Sequence, residues 1–291
     1  MKVPLDVTDE TMLSAEQAVL RLRADPSQTQ LIRDSYWDKD VLAAAERFRA
    51  TAEFQEVLEL LGGVRDADIL DLGSGRGISA YAFAESGARC VYAVEPDSSR
   101  EIGREAIHSL AGELPIRILD GVGEQIPLDT ASVDVVYGRQ VFHHARDLED
   151  MASECARVAR DGASLLLCRE HVVDDQRQLE RFLEDHPIHG LTGEEHAHSV
   201  ERYISALTAA GFELKGILAQ WDSVINAFPA VRSSEELSRY PVTLLEQKFG
   251  PPGKRLAAVP GAQRLVWARL RRRRPGRMYS FLAQRLPRGR T

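Results

Sequence analysis

Short apolar segments alternate with helical segments along the middle of the chain, and this alternation limits the fold more than any other feature. Each apolar segment is long enough for one strand and is apolar almost without interruption, which is typical of strands buried on both faces of a parallel sheet. The segments between them suit helices that cross from one strand to the next. We therefore predict a doubly wound α/β fold. The predicted strands are 67–72, 89–95, 116–121, 132–138 and 163–173, and the predicted helices are 77–86, 97–112 and 146–162.

Further elements flank this core. Residues 14–24 begin with a serine suited to cap a helix, and apolar residues at threes and fours over 38–61 predict a longer helix. Downstream we predict a polar, histidine-rich insertion over 174–199, a helix over 200–210, a strand over 212–221 and, after a segment rich in proline and glycine, a last antiparallel strand over 278–286. The expected parts are an N-terminal helical cap (1–60), an α/β core that contains the insertion (61–222) and a C-terminal elaboration with the final strand (223–291).

The composition is that of a globular protein. The chain has 291 residues, 44% of them hydrophobic and 28% charged, which suits one decorated domain and excludes disordered, collagen-like and coiled-coil classes. No apolar run approaches the roughly 18 residues of a membrane helix, and the acidic start differs from a signal peptide. Cys90, Cys155 and Cys168 lie far apart in apolar stretches, which favours small buried side chains over zinc ligands or disulfides. We expect a cytoplasmic protein.

Charge is unevenly distributed, although the net charge is only −7. Thirteen lysine and arginine residues and no acidic residue follow Glu246, so the preceding part carries 24 basic against 44 acidic side chains. One interpretation is a basic segment that lies on an acidic body, and the alternative is binding of an anionic substrate or a membrane surface. Nucleic acid is the least favoured partner, because the four arginines at 271–274 lack interleaved aromatic residues for base stacking.

A glycine-rich turn follows the first predicted strand, in 69-ILDLGSGRG-77. Glycines permit positive φ and close approach of a ligand to the backbone, and the start of the next helix turns its N–H groups toward that ligand. A dinucleotide fingerprint would need a glycine at Ile78, and a Walker loop would need Gly-Lys-Ser/Thr, so the turn matches neither motif. Asp71, just before the glycines, suits a cationic amine better than a pyrophosphate.

An acidic residue ends the second predicted strand. Glu95 lies eighteen residues beyond Gly77, and a carboxylate at this strand end can accept hydrogen bonds from both hydroxyls of a ribose. Alone this signal is weak. Together with the D-x-G-x-G-x-G pattern at 71–77, it indicates a bound nucleoside.

Several segments carry a resemblance to a known family. They are 69–77 as the glycine-rich motif, Glu95 as the ribose acid, 121–128 as a loop beside the adenine, 132–147 as the fourth strand with its following loop, and 154–167 leading into the fifth strand. In these segments, over about residues 60–172, the chain resembles the class I S-adenosylmethionine-dependent methyltransferases. The resemblance implies S-adenosyl-L-methionine as the cofactor and a Rossmann-like, seven-stranded, mostly parallel sheet. Outside residues 60–172, the chain is similar to a bacterial subgroup of this family that acts on small molecules.

The resemblance also implies roles for particular residues. Asp71 and Gly73 are expected near the methionine amine, and Glu95 is expected to hold the ribose. Val122 stands where many relatives have an aspartate that contacts the adenine, which leaves backbone groups or Glu124 for that contact. The predicted cofactor-binding residues are Asp71, Gly73, Ser74, Gly75, Glu95, Pro96, Gly121, Val122, Gly123 and Gln140.

Polar side chains end or follow the fourth and fifth predicted strands, where the ligand crevice of an open α/β sheet lies. His171 is the preferred general base, since an imidazole with a pKa near 6.5 suits proton removal at neutral pH. His143 and His144 have a structural alternative, in which one ring packs under the cofactor loop. Arg139 is expected to pair with a cofactor or substrate carboxylate or with Glu170. The residues expected on this rim are Arg139, Gln140, His143, His144, Arg169, Glu170 and His171, of which His171, His144, Arg139 and Glu170 form the predicted catalytic set.

Histidines of the insertion and an aromatic pair near the N-terminus are candidates for contact with the acceptor. The histidine spacing matches no standard zinc pattern, which favours a substrate-binding lid over a metal site. Tyr36 and Trp37 are expected either to cap the cofactor or to pack the N-terminal helices against the body. The predicted substrate-binding residues are Tyr36, Trp37, His143, His186 and His189, and no metal ligand is predicted.

The leading hypothesis is an enzyme that transfers a methyl group from S-adenosylmethionine to a small polar metabolite, such as a sugar or a secondary-metabolite intermediate, with oxygen favoured as the acceptor atom. The alternative is an enzyme that uses the same cofactor without methyl transfer, at a histidine-rich site with or without a metal. A binding protein and a dehydrogenase are less favoured, because the cofactor motifs are intact and Ile78 replaces the third glycine. The expected partner is a small-molecule acceptor, with no membrane span and no nucleic acid, and a homodimer is left open.

Overall fold

A single seven-stranded sheet forms the centre of the computed structural model, which describes residues 12–185, 189–192, 196–272 and 274–289. Its strands are β1 (Asp68–Leu72), β2 (Cys90–Val94), β3 (Ile116–Leu119), β4 (Val133–Arg139), β5 (Ala159–Val172), β6 (Phe212–Leu218) and β7 (Arg277–Arg285). The strand order is β3-β2-β1-β4-β5-β7-β6. Strands β1 to β5 pair in parallel, and β7 lies antiparallel between β5 and β6. The predicted doubly wound, mostly parallel sheet is confirmed.

Helices cover both faces of this sheet. Successive residues of β1 belong to different apolar clusters. Ile69 lies in one cluster, and Leu70 and Leu72 lie in the other. This is the pattern expected for a strand buried on both faces. In chain order the helices are α1 (Ala15–Ala24), α2 (Thr29–Asp34), α3 (Val41–Arg49), α4 (Ala52–Leu61), α5 (Ile78–Glu85), α6 (Arg104–Ala111), α7 (Leu148–Val158), α8 (Gln176–Asp185), α9 (His189–Thr192), α10 (Val200–Ala209), α11 (Val224–Ala227), α12 (Ser234–Phe249), α13 (Pro251–Ala257) and α14 (Ala262–Leu270).

The long helix expected over 38–61 is two helices, α3 and α4, so that prediction is wrong in its continuity. Thr51 lies at the break in an extended conformation, and its hydroxyl accepts a hydrogen bond from the N–H of Phe54. A threonine that caps a new helix in this way satisfies one of the N–H groups that the helix start leaves without a partner. The apolar periodicity continues across the break, and for that reason the pattern alone does not reveal it.

The segment between β6 and β7 is largely helical, from α11 to α14, and it returns the chain to an antiparallel strand as predicted. The proposed division of the chain at residues 60 and 222 stays a prediction. Within the described residues, no helix combines the length and the apolar character needed to cross a membrane. Cys155 and Cys168 are buried free thiols, and Cys90 is half-buried.

Basic side chains near the C-terminus contact acidic groups of the body. Arg277 lies 2.6 Å from Asp174, which follows β5, and Arg288 lies 2.9 Å from Asp161 within β5. Arg288 also donates to the backbone carbonyl of Ala159. These contacts support the interpretation of a basic segment lying on an acidic body.

Candidate active site

Two adjoining cavities open where the parallel strands end. The large cavity, of about 660 Å³, lies beyond β1 and β2 and is bordered by Glu95. The small cavity, of about 450 Å³, lies beyond β4 and β5 and is bordered by Arg169 and His171. A ligand that lies along the glycine-rich turn can reach from one cavity into the other, because both are lined by the same five residues, Trp37, Gly73, Gly75, Gln140 and His144.

The glycine-rich turn adopts a conformation that its glycines make accessible. Gly73 and Gly75 have φ of +61° and +53°, in the left-handed region. A Cβ atom on Gly73 would collide with the side chain of Val141, whereas a Cβ on Gly75 would meet nothing closer than 3.8 Å. Gly73 therefore allows close packing of the loop after β4, and Gly75 presents bare backbone to both cavities.

Asp71 supports this turn from below. Its carboxylate is buried and accepts hydrogen bonds from the hydroxyls of Ser74 (2.6 Å) and Ser79 (2.8 Å). Burial raises the pKa of Asp71 to about 6, in spite of these hydrogen bonds, which act to lower it. Ser74 lines the small cavity, but Asp71 lines neither cavity. The structure thus gives Asp71 the role of holding the turn, and its contact with the methionine amine stays a prediction.

Glu95 projects from the end of β2 into the large cavity. One carboxylate oxygen accepts the N–H of Gly75 (2.7 Å) and the other accepts the N–H of Asp97 (2.9 Å). Burial raises the pKa of Glu95 above its ordinary value. Each carboxylate oxygen has a further lone pair, so the group can still accept two hydroxyl donors.

The loop after β3 forms another wall of the large cavity. Gly121, Val122 and Gly123 line it, together with Pro96. A Cβ on Gly121 would lie 2.6 Å from the ring of Pro127, and one on Gly123 would collide with Met151. Residues larger than glycine therefore do not fit at positions 121 and 123.

Strained backbone is concentrated around the small cavity. Among the described non-glycine residues, five have positive φ, and three of these, Tyr36 (57°), Gln140 (55°) and Arg169 (61°), line this cavity. A non-glycine residue in the left-handed region costs about 1 to 3 kcal/mol, and such residues cluster where a site must hold a side chain in a set direction. The cluster supports a functional role for the small cavity.

Arg139 pairs with a residue that the sequence argument did not consider. Its Nε lies 2.8 Å from Glu53 of α4, a carboxylate that is only 1% exposed, and its Nη1 donates to the side-chain oxygen of Gln140 (3.1 Å). The alternative in which Arg139 pairs with Glu170 is wrong, because Glu170 is bonded to the turn after β4. Arg139 lines the small cavity and positions Gln140 at its junction with the large one.

Glu170 is completely buried and organises that turn. It accepts hydrogen bonds from the backbone N–H groups of Val141, Phe142 and His143, and the Nδ1 of His143 lies 2.7 Å from its Oε2. Burial acts to raise the pKa of Glu170, but the hydrogen bonds from His143 and the backbone lower it overall. An ionised carboxylate only accepts, so Nδ1 of His143 donates to it, and in the neutral ring Nε2 is then the nitrogen without a proton. Glu170 lines neither cavity and is therefore a positioning residue.

Three imidazoles line the small cavity side by side. The ring of His143 lies 4.2 Å from that of His144 and 4.6 Å from that of His171, between centroids. His144 is exposed and also borders the large cavity, whereas His143 and His171 are buried. The Nδ1 of His171 lies 3.4 Å from the carbonyl oxygen of Gly276. The structure thus brings together the histidines that the sequence placed on one rim.

The predicted acceptor contacts outside the rim have different outcomes. The ring of Tyr36 packs on Phe48 at 5.3 Å, which agrees with the packing alternative, and the residue also lines the small cavity. A cap over the cofactor stays a prediction. Trp37 lines both cavities. His189 lies in α9 and borders neither cavity, and His186 lies outside the described residues. No cluster of three or more potential metal ligands occurs in the part of the chain that the structure describes.

Two buried arginines of the small cavity received no role from the sequence. Arg76 donates from Nη1 to the carbonyl of Tyr36 (2.7 Å), and Arg169 donates from Nη1 to the carbonyls of Ile225 (2.6 Å) and Phe228 (2.9 Å). A charged side chain inside a turn of glycine and serine was an available signal for Arg76. No local sequence feature identifies Phe228 as a cavity residue, because only the fold brings the segment after β6 to the cavity.

The comparisons with known proteins agree with this geometry. Residues 70–167 match the family described as a methyltransferase domain. The chain contains a class I S-adenosylmethionine-dependent methyltransferase domain. The cofactor of this domain is S-adenosyl-L-methionine. The family resemblance and the cofactor predicted from the sequence are confirmed.

Curated relatives of the methyltransferase domain have names that give different activities. A tRNA U34 carboxymethyltransferase of Cellvibrio japonicus is 27% identical over 163 residues, which are 56% of this chain and 48% of that protein. A sarcosine/dimethylglycine N-methyltransferase of Halorhodospira halochloris is 26% identical over 187 residues, which are 57% of this chain and 66% of that protein. The chain spans less than half the length of the tRNA U34 carboxymethyltransferases that it matches.

A solved structure supports the same architecture. The YcgJ protein of Bacillus subtilis superposes with a TM-score of 0.51 at 18% identity, over 81% of this chain and 98% of that protein. At this identity the likeness shows the fold alone. It agrees with the assignment of the sheet and its flanking helices to the methyltransferase domain.

Proposed function

We propose that this chain is an S-adenosylmethionine-dependent methyltransferase that methylates a small polar metabolite, with oxygen favoured as the acceptor atom. One observation carries the proposal. The large cavity, built from the glycine-rich turn of the methyltransferase domain, opens directly into a small cavity lined by three imidazoles. A cofactor and a proton acceptor can therefore meet at one junction.

The residues of the large cavity fit the adenosyl part of the cofactor. The carboxylate of Glu95 retains accepting capacity for the two ribose hydroxyls, next to Pro96. Gly121, Val122 and Gly123 offer a wall and backbone groups for the adenine. These contacts are proposals, and they carry over the roles that the resemblance implied.

The junction and the start of the small cavity suit the amino-acid part of the cofactor. Gly73, Gly75 and Gln140 border both cavities, and Ser74 borders the small one. Arg76 belongs to the same turn and carries a buried positive charge that can pair with a carboxylate. Asp71 keeps the turn in place through its bonds to two serine hydroxyls.

When bound, S-adenosylmethionine supplies a methyl group on a positively charged sulfur, which a nucleophile can attack in line. The chain itself orients the acceptor and removes its proton. We assign the proton to Nε2 of His143, because Glu170 fixes the Nδ1–H tautomer and stabilises the charge that the ring gains. Oxygen is favoured because a hydroxyl, unlike a neutral amine, must lose its proton as it reacts at neutral pH.

His171 is the second candidate for the base. Its ring borders the same cavity, 4.6 Å from that of His143. His171→Ala should lower turnover far more than cofactor affinity if this ring takes the proton, and His143→Ala should do so if the oriented ring does. Equal losses of turnover and affinity in His171→Ala would contradict its role as the base.

Chemistry other than methyl transfer is the second candidate function. The likeness to proteins named tRNA U34 carboxymethyltransferases favours it, as do the three imidazoles of the small cavity. Because these relatives are named for tRNA, the expected absence of a nucleic-acid partner stays a prediction. The cytoplasmic location and the homodimer likewise stay predictions.

Calorimetry and isotope labelling test the proposal. The full chain should release or absorb heat on titration with S-adenosylhomocysteine and none with NAD⁺. Turnover is then measured with a panel of small hydroxylated and aminated metabolites. Label from the methyl group of S-adenosylmethionine should enter the acceptor, and label from the carboxyl carbon of its methionine part should not. Heat with NAD⁺ alone would contradict the cofactor assignment, and transfer of the carboxyl label would favour the second function.

A further inference from the structure

The small cavity contains two buried guanidinium groups that have no carboxylate partner. Arg76 and Arg169 are each 6% exposed and line this cavity. Their Nη1 atoms donate to backbone carbonyls, and the Nε of each has no hydrogen-bond partner. Within the described part of the chain neither forms an ion pair. A buried charge without a partner is costly, and sites that bind a charged ligand retain such groups.

The other charged groups around the cavity are already paired. Arg139 is neutralised by Glu53 at 2.8 Å, and Asp34 by Arg232 at 2.6 Å. Glu170 is engaged by His143. Burial lowers the pKa of Arg76 to about 10, so its guanidinium remains protonated at neutral pH. Arg76 and Arg169 are therefore two positive charges in excess among the arginine and carboxylate side chains that line the cavity.

A neutral acceptor would leave this excess uncompensated. S-adenosylmethionine has one carboxylate, one ammonium and one sulfonium, so it brings a further positive charge. The carboxylate of S-adenosylmethionine can neutralise one of the two guanidinium groups. We assign it to Arg76, because Arg76 belongs to the glycine-rich turn that is proposed to hold the amino-acid part of the cofactor. Arg169 lies at the end of β5, on the wall formed with Phe228 and Met278, and remains without a counter-charge.

Arg169 is held rigidly in this wall. It lies at an irregularity in the pairing of β5 with β7, and its φ is 61°. Its backbone N–H donates to the hydroxyl of Ser280 (3.2 Å), which in turn donates to the side chain of Asn226 (2.7 Å). Nη1 bridges the carbonyls of Ile225 and Phe228. A guanidinium held in this way loses little conformational freedom when it binds an oxyanion.

A second donor without a partner belongs to a residue that lines the same cavity. The hydroxyl of Tyr36 is buried and has no hydrogen-bond partner, although the residue lines the small cavity. Burial raises the pKa of Tyr36 to about 12, so the hydroxyl remains a donor at neutral pH. An anion would accept from this hydroxyl and from Arg169.

We propose that the acceptor is a small hydroxylated organic anion whose carboxylate or phosphate binds Arg169 and Tyr36 while its hydroxyl faces His143. This inference rests on the proposed function and adds the charge class of the substrate. It places recognition of the acceptor on the wall formed by β5 and the segment after β6, away from the glycine-rich turn.

Matched pairs of probes test the proposal on the unmodified chain loaded with S-adenosylhomocysteine. The pairs are salicylate with salicylamide, 4-hydroxybenzoate with its amide, and glycerol 3-phosphate with glycerol. Calorimetry should show roughly tenfold or tighter binding of the charged member in at least one pair, as expected for a charge-assisted hydrogen bond. The carboxylate and phosphate pairs separate the two sources of the anion. Equal affinity within every pair would overturn the proposal.

Two variants locate the site. Arg169→Gln should abolish the preference for the charged member and leave the affinity for S-adenosylhomocysteine within about twofold. Tyr36→Phe keeps the ring and removes only the donor, so it should fold and weaken anion binding severalfold. Arg239→Gln, on the exposed surface of α12, is the control that removes the same charge without effect. A preference that survives in Arg169→Gln would overturn the assignment.

The outcomes separate this inference from the function on which it rests. If S-adenosylhomocysteine does not bind, the proposed function and the inference both fail. If it binds and methyl label enters only neutral acceptors, the inference alone fails. If Arg169→Gln does not fold, the matched pairs on the unmodified chain and Tyr36→Phe still decide the question.

Discussion

The large and small cavities adjoin, but they are built from different material. The large cavity uses backbone from the glycine-rich turn, the loop at 121–123 and the single buried carboxylate of Glu95. The small cavity uses long side chains, such as Arg139, Arg169 and His171, from elements that are distant in sequence. Backbone presents the same groups whatever the side chains are, whereas a wall of side chains changes with each substitution. This division suits a constant cofactor on one side and a particular acceptor on the other.

The two cavities also differ in charge. The carboxylates of Glu95, Asp97, Glu124, Asp147 and Asp150 line the large cavity. The small cavity instead is lined by Arg76, Arg139 and Arg169 and by one carboxylate, Asp34, whereas the large cavity has one arginine, Arg146. Opposite charges at the two ends favour one orientation of a ligand that has positive and negative groups. The comparison predicts that substitutions on the two sides affect different measurements.

The largest expected effect is on the small-cavity side. Glu170→Gln removes the negative charge that fixes and stabilises His143, so turnover should fall by about 10²- to 10⁴-fold. Affinity for S-adenosylhomocysteine should fall much less, by at most about tenfold, because Glu170 lines neither cavity and acts on the large one only through the turn that carries Val141 and His144. Turnover is measured with methyl-labelled cofactor, and affinity by calorimetry. Glu149→Gln, on the exposed face of α7, is the control. Equal losses of turnover and of affinity would contradict the expectation that the two cavities have separate roles.

The next effect concerns the turn that the cavities share. The pKa of Asp71 is about 6 in the folded chain against an ordinary 3.8. Stability from this group is therefore fully present below pH 3.8 and is lost as the pH rises through 6, by about 3 kcal/mol. Asp71→Asn removes this loss, so its free energy of unfolding relative to the unmodified chain should increase between pH 4.5 and 7.5. Urea unfolding at both pH values measures it, and a difference independent of pH would contradict the expectation.

The smallest of these effects lies on the large-cavity side. Glu95→Gln replaces one accepting oxygen with an amide N–H₂ that opposes the N–H donors of Gly75 and Asp97. Affinity for S-adenosylhomocysteine should weaken by about tenfold, as expected for loss of a hydrogen bond to a charged group. The preference for charged over neutral acceptor probes should not change. Glu105→Gln, exposed on α6, is the matched control. A changed acceptor preference would show that the cavities are coupled.

The difference between the cavities also explains what was predictable. Glu95 and the glycines of the turn were identified because their roles depend on short spacings around the ends of β1 and β2. The partner of Arg139 was missed, because Glu53 reaches it only when α4 packs on the sheet. Glu170 was named as one possible partner of Arg139, and its bonds to the turn after β4 were missed because they depend on the register of β4 and β5.

The sequence alone determined the parallel sheet, its flanking helices and the cofactor motif. These depend on apolar periodicity and on glycine conformations, which act over a few residues. Tertiary structure alone decided that α3 and α4 separate at Thr51, that Arg169 lines a cavity without an ion-pair partner of its own, and that Glu170 orients His143. Side chains distant in sequence become neighbours only after the layers pack, and burial then decides which charges are paired.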